Sequence, residues 1–295
     1  MDEAAFFYQE GAKPDTEIYR ALKPSTATIP NSLILILSSP YMQSGLLYDM
    51  HKRFYGEDDP ETLIWVADTL TMNPTIDRKI IDRAMEMDAE AAEAEWFAQF
   101  RKDLSTFLPL EVIEDCIVRG RYELPVMADT RYSAFCDPAG GGGTDAMTLA
   151  VGHRDNGVII LDCIRSVNPP FDPFTATEDF AKTLKEYRIS TVQGDKYTGE
   201  WCSTAFANNG IRYMASDKNK SEIYLSAEPL FSRRQIELLD NKQLYNQLRN
   251  LERRTRRGGR DLVDHSLRGS DDIANSVCGV LVILGKWRSL FEDLD

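Results

Sequence analysis

Two successive α/β patterns predict the fold class: a mixed sheet flanked by helices, preceded by a fragment of another α/β domain. Three observations carry this expectation. Apolar stretches of strand length alternate with helical stretches along most of the chain. Three strand-like stretches follow one another directly between Tyr132 and Ile164, broken by a glycine run and by Asp155-Asn156-Gly157, a hairpin turn sequence. A charged, alanine-rich segment separates the two patterns.

In chain order, the opening MDEAAFF turns apolar after two carboxylates and precedes a helix near Asp15 to Leu22. A strongly apolar strand, Ser32 to Pro40, comes next, then a helix from Gly45 to Tyr55 and a strand from Thr62 to Thr69. From Asp77 to Arg101 the sequence reads as one long helix or two. The second pattern begins with a strand from Tyr132 to Asp137. It continues through PAGGGGTDA into strands at Met147 to His153 and Val158 to Ile164. A helix (Ala176 to Tyr187), a strand ending at Asp195, a helix (Gly199 to Asn208) and a strand (Ile211 to Ala215) follow. Two further helical stretches precede a last apolar helix from about Asp271 to Gly285. The order β-β-β-α-β-α-β-α is that of a ribonuclease H-like fold. The predicted division is residues 1–75 as the C-terminal part of a truncated α/β domain, 76–128 as a helical connector, and 129–295 as the ribonuclease H-like domain.

The 295 residues are 43% hydrophobic, enough for a substantial core in one large or two modest domains. The longest apolar runs, Leu33 to Leu37 and Val280 to Leu284, are too short to span a bilayer, and no basic segment with an apolar run resembles a leader. A cytosolic protein without a membrane partner is expected. Five widely spaced cysteines without a CxxC pair argue against a disulfide framework or a zinc site. A net charge of −13 excludes a protein that coats nucleic acid nonspecifically. The distribution is uneven, however. Acids crowd Glu57 to Glu114, whereas Arg249, Arg253, Arg254, Arg256, Arg257, Arg260 and Arg268 lie close together near the end, a place for phosphate contacts.

The chemistry is carried by aspartates. Asp137 and Asp195 each close a strand, and Asp271 and Asp272 stand at the start of an apolar helix, so a central sheet can gather all four. Asp145 follows Asp137 across the glycine run and can reach the same place. Carboxylates repel one another, and an oxygen-rich cluster suits Mg²⁺ or Mn²⁺, which activates water against a phosphodiester. A single aspartate at such a position is usually a cap or turn former; the joint pattern is what points to a metal. The run Gly140 to Gly143 lacks a following Lys-Ser/Thr and reads as a hairpin loop, not a phosphate cradle.

These stretches resemble motifs of the terminase large subunits of tailed phages and prophages. AFCDPAGGGGTDAMTLAVG resembles the family's first nuclease motif, VQGDKYTGEW its second acid-bearing strand, and HSLRGSDDIANSVCGVL its closing motif, although Ser270 stands where the family often has His. The resemblance implies Asp137, Asp195 and Asp272 as catalytic metal ligands, with Asp271 and Asp145 as further candidates, for two Mg²⁺ or Mn²⁺ ions. Upstream, DEAAFF resembles a Walker B ending, with Asp2 and Glu3 as its acids, and LILILSSP resembles the motif coupling hydrolysis to movement. No GxxxxGK[ST] occurs, so no ATPase activity is expected of these residues, which read as the second half of a terminase beginning partway through its ATPase domain.

By resemblance, the activity is endonucleolytic cutting of concatemeric double-stranded DNA in the bacterial host cytoplasm, with a small terminase subunit and the portal of a procapsid as partners. Lys196 and the run Arg253, Arg254, Arg256, Arg257 and Arg260 are candidate DNA contacts, the run being equally readable as a solvated loop. Trp201 reads as core, His51 and His153 as packing residues, and His265 as an outside candidate for the site. Two rivals stand beside this reading. One is a Holliday-junction resolvase or transposase-type nuclease; the other is a prophage remnant that cuts nothing and serves as an assembly module.

Overall fold

The computed structural model describes residues 1–6, 14–195, 199–255, 261–266 and 269–286. The chain forms two compact units, residues 1–105 with 253–260, and residues 106–252 with 261–295. The sequence suggests divisions at 75 and 128. The observed contacts instead put the helices after residue 75 in the first unit and residues 106–128 in the second. Phe107, Leu108, Ile113, Cys116 and Ile117 are buried in the second unit's core, which is why that segment belongs there.

The first unit holds helices α1 (Pro14–Thr26), α2 (Leu46–Phe54), α3 (Thr69–Met72), α4 (Arg78–Met87) and α5 (Ala89–Phe97). Side-chain caps start three of them: Asp68 accepts from Thr71 N, Asp77 from Lys79 N and Asp88 from Ala91 N. Asp88 also ends α4, so the predicted long helix is two. The strands expected at 32–40 and 62–69 form no ladder: 62–68 has no regular structure, and Thr69 already opens α3. Leu37 makes an isolated parallel bridge to Asp2, with Leu37 N donating to Met1 O at 2.9 Å and Ala4 N to Leu37 O at 3.3 Å. Apolar alternation favours extended chain, but a strand needs a partner along its length. Leu33, Leu35, Leu63 and Trp65 are all exposed. Strand β1 (Leu104–Thr106) follows α5.

The second unit contains α6 (Leu110–Cys116), β2 (Tyr132–Asp137), β3 (Met147–Asp155), β4 (Val158–Val167), α7 (Pro173–Glu186), β5 (Thr191–Gly194), α8 (Gly199–Asn208) and β6 (Arg212–Ala215). It continues with α9 (Lys220–Ser232), β7 (Ile236–Glu237), α10 (Lys242–Arg249), β8 (Leu251–Arg254), which runs into the other unit, β9 (Leu262–His265) and α11 (Asp272–Lys286). Six strands form one mixed sheet in the order β6-β5-β2-β3-β4-β7. The meander β2-β3-β4 is antiparallel, and β5, β6 and β7 add in parallel to β2, β5 and β4. Asn156 and Gly157 take positive φ, 46° and 85°, in the β3-β4 turn, the conformation that a tight hairpin of right-twisted strands requires.

Each face of this sheet is covered. Ala134, Cys136, Met147, Leu149 and Val151 pack with α7 and α8, while Phe135 and Ala150 pack with α6, α9, α10 and α11. The alternation is the period of two expected of strands. Along β4 it slips once: Ile159 and Leu161 face one layer and Cys163 the other. The register explains this, because Val151 pairs with Cys163 and Gly152 with Leu161, leaving Asp162 as the extra residue of a bulge. Helix α11 is buried on almost every side and crosses β2 where Gly279 meets the ring of Phe135. All five cysteines are free and buried. No helix among the described residues is long and apolar enough to cross a membrane.

Candidate metal centre

Strand pairing aligns the first two acids. Phe135 pairs with Gln193 and Cys136 with Gly194 in parallel register, so Asp137 and Asp195 leave neighbouring strands side by side. Adjacent strands lie about 4.8 Å apart. Gly194 allows the close approach. A Cβ there would fall 2.5 Å from the Cys136 carbonyl oxygen and would collide with Tyr213, whose hydroxyl donates to Asp195 O at 2.8 Å.

The third acid arrives on α11. Thr148, the cross-strand partner of Asp137, donates its hydroxyl to Asp272 O at 2.7 Å, and Ala146 N donates to Asp272 Oδ2 at 3.0 Å. Two bonds from the start of β3 therefore hold the first residue of α11 next to the end of β2. Asp137, Asp145, Asp195, Asp271, Asp272 and Asn275 line one open cleft of about 470 Å³. Asp145 sits exposed at its edge, accepting from Thr144 Oγ1 at 3.1 Å. Gly140 to Gly143 form a loop beside it, and Gly140, Gly141, Gly143 and Trp201 line an adjoining cleft that also touches Asp137, Asp145 and Asp195.

The carboxylates at this end of the sheet repel one another in a buried setting. Burial pushes the Asp137 carboxyl well above its ordinary range. The nearby Asn275 amide opposes the shift, and Asp272, Asp195 and Asp271 add to it. Burial also raises Asp272, against the Ala146 N–H, with Asp271 and Asp145 raising it further and His265 opposing. Asn275 is 1% exposed, and neither its amide nitrogen nor its amide oxygen makes a hydrogen bond of good geometry. An unsatisfied buried amide beside repelling carboxylates is what a hard, oxygen-seeking cation would relieve. The residues present therefore fit Mg²⁺ or Mn²⁺.

Asp271 differs from its neighbour. Its Oδ2 accepts from the Tyr224 hydroxyl at 2.8 Å and lies 3.1 Å from Lys220 Nζ, which is 3.3 Å from Oδ1. Lys220 also reaches Asp264 Oδ1 at 2.6 Å. Although burial works against its charge, Asp271 and Asp264 hold the Lys220 ammonium above its ordinary range. Among the described residues, the one group of three acidic, thiol or imidazole donors lying within 4.8 Å of one another is Asp264, His265 and Asp271. Asp137, Asp195 and Asp272 share the cleft without forming so tight a set.

Sequence reasoning missed Lys220, Asp264, Tyr224 and Asn275. Asn275 had a signal: a lone amide one turn after Asp272 in an apolar helix. Lys220 had a fainter one, the Asn-Lys-Ser-Glu capping box that starts α9.

Other candidates fall elsewhere. Lys196, Arg256, Arg257 and Arg260 lie outside the described residues. Arg253 and Arg254 belong to the first unit, and Arg254 lies 3.6 Å from Asp88 and 3.7 Å from Asp103, so its charge is already faced by acids. Asp2 bridges Leu37 in the same unit, so residues 1–4 lie beside the LILILSSP segment. His51 stacks on Tyr55, and His153 is buried against Asp162 at 2.7 Å, both packing roles.

No protein-family model and no curated protein matches the sequence. Solved structures do match. The crystal structure of the large terminase nuclease from thermophilic phage G20c with bound magnesium aligns with a TM-score of 0.50 at 17% identity, over 58% of this chain and 95% of that one. The HK97 bacteriophage large terminase aligns with a TM-score of 0.51 at 13% identity, over 96% of this chain and 69% of that one. At these identities the likeness establishes the fold: a mixed sheet flanked by helices, of the ribonuclease H-like kind found in large-terminase nucleases.

Proposed function

We propose that this chain is the nuclease-bearing part of a phage-type large terminase, hydrolysing phosphodiesters of double-stranded DNA with Mg²⁺ or Mn²⁺. One observation carries the reading. Asp137 and Asp195 stand in register on adjacent parallel strands, and the Thr148 bond draws Asp272 to them, so repelling carboxylates converge where the chain gains nothing structural from the repulsion. Fold likeness alone does not assign the chemistry, which the residues of the site must carry. A neighbour of this fold binds magnesium, which agrees with the oxygen-only donor set.

Asp137, Asp195 and Asp272 would hold the ion, with Asn275 beside them. A divalent ion there supplies a Lewis acid for phosphodiester hydrolysis and neutralises the carboxylates against an incoming phosphate. The chain's own contribution is positioning. Gly194 and Tyr213 fix the backbone of Asp195, while Ala146 and Thr148 fix Asp272. Asp145, on an exposed loop, lies where a substrate strand would approach. Cutting of concatemers with a small subunit and a procapsid portal, in a bacterial cytoplasm, is the role that the motif resemblance implies.

Digestion of linear duplex and of a four-way junction in Mg²⁺ and in Mn²⁺ tests the reading. Metal-dependent duplex cutting is expected. Cutting confined to the junction would favour a resolvase-type nuclease, and no cutting with either metal at ample protein would favour a non-catalytic assembly module.

A further inference from the structure

We propose that Lys220 is a built-in counter-cation that fills the position a second metal ion would take between Asp264 and Asp271, leaving the divalent ion to Asp137, Asp195 and Asp272. This rests on the divalent-ion reading of the cleft and adds to it which acids are withheld from the ion. The donor geometry invites the question, since Asp264, His265 and Asp271 bring three ligand atoms within 4.8 Å of one another. An ammonium already sits there. Lys220 Nζ is 2.6 Å from Asp264 Oδ1, 3.1 Å from Asp271 Oδ2 and 3.3 Å from Asp271 Oδ1.

The surrounding chain builds this placement. Lys220 is the first residue of α9, whose start is fixed by a capping box: Asn219 accepts from Glu222 N at 3.0 Å, and Glu222 accepts from Asn219 N at 3.1 Å. The next residue, Ser221, donates its hydroxyl to Val263 O at 2.8 Å and accepts from Val263 N at 3.0 Å. That exchange sets Lys220 opposite Asp264. One turn later Tyr224 donates to Asp271 at 2.8 Å. Both oxygens of Asp271 are thus in contact with groups of the protein, and a metal ion approaching it would have to share it with the Lys220 ammonium. Asp272 accepts one backbone N–H, from Ala146. Mg²⁺ holds its oxygens at about 2.0–2.1 Å, and an ammonium between the same two carboxylates excludes it by charge and by space. Lys220 is in this sense a positioning residue: it fixes which member of the Asp271-Asp272 pair serves the ion.

The test counts Mn²⁺ bound per full chain, by equilibrium dialysis or by the electron paramagnetic resonance of free Mn²⁺. Wild type, Asp264→Asn and Lys220→Arg are expected to bind the same number. Lys220→Ala and Lys220→Gln are each expected to bind one more, and Lys220→Ala combined with Asp264→Asn to return to the wild-type number. A folding defect alone would not add an ion, and the Gln variant keeps most of the side chain if the Ala variant fails to fold. Loss of an ion in Asp264→Asn, or no gain in either neutral Lys220 variant, would overturn the proposal. Asp137→Asn reports separately on the nuclease reading: unchanged Mn²⁺ binding there would contradict that reading, while the Lys220 comparison would still decide the counter-cation.

Discussion

Gly279 is where the packing of the second unit and the geometry of its cleft depend on the same contact. A Cβ at this position would lie 2.5 Å from both Cδ atoms of Phe135. Ordinary carbon contacts are about 3.5–4.0 Å, so Gly279→Ala requires a movement of about 1 Å. Phe135 is 1% exposed and enclosed by the core of α9, α10 and α11, so the helix must shift along with the ring. Overpacking of this kind costs roughly 1–3 kcal/mol, and contact with a fully enclosed ring belongs at the upper end. Replacing a mid-helix glycine by alanine returns about 1 kcal/mol. The net loss is about 2 kcal/mol, or a Tm lower by roughly 4–8 °C. The same shift would carry Asp272 away from Asp137, and a misplacement of about 1 Å costs on the order of 100-fold in rate. Urea or thermal melts beside a Mg²⁺-dependent nicking assay check both effects. Gly285→Ala in the same helix is the control. Its Cβ would meet the end of the Leu230 side chain at 3.3 Å, and stability unchanged or raised by up to about 1 kcal/mol is expected. A Gly279→Ala protein that melts at or above the wild-type temperature would refute the argument.

Two other outcomes follow from local geometry. Asn219→Ala removes the α9 cap and is expected to cost about 1 kcal/mol in urea unfolding; no loss would mean that the capping box does not hold the start of α9. Glu123 accepts from both terminal nitrogens of Arg165, at 2.7 and 3.0 Å, and those bonds hold its carboxyl below its ordinary value. A carboxylate held low stabilises the fold above its unfolded-state value and loses that contribution as pH falls through the folded one. Thermal melts from pH 7 to pH 3 should therefore show a shallower acid-side decline in Glu123→Gln than in wild type, and parallel curves would count against the pair.

Much of the second unit was legible because its signals are local. The hairpin turn at Asn156-Gly157, the apolar strands β2 to β4 and the helices α7 and α8 each announce themselves within a dozen residues. Asp137 and Asp195 were readable as strand-end acids, and strand pairing alone turns them into neighbours. The first unit misled for the same reason. Its apolar runs at 32–40 and 62–69 have the composition of strands, but a ladder depends on partners that a local pattern cannot reveal. β7, two residues long, is too brief to read. Lys220 reaches the cleft from α9, about fifty residues before Asp271, and Asp264 comes from a strand held by Ser221. Side-chain convergence of that kind is a property of the assembled sheet and its helices, not of any one segment.

The central claim is that Asp137 and Asp195 serve a metal-dependent nuclease. Conversion of supercoiled plasmid to nicked and linear forms, in Mg²⁺, Mn²⁺ or EDTA, tests it most directly when wild type is run beside Asp137→Asn and Asp195→Asn. The expected result is cutting by wild type with either metal, none in EDTA, and loss of cutting in both variants. Metal-dependent cutting that survives both substitutions would contradict the account.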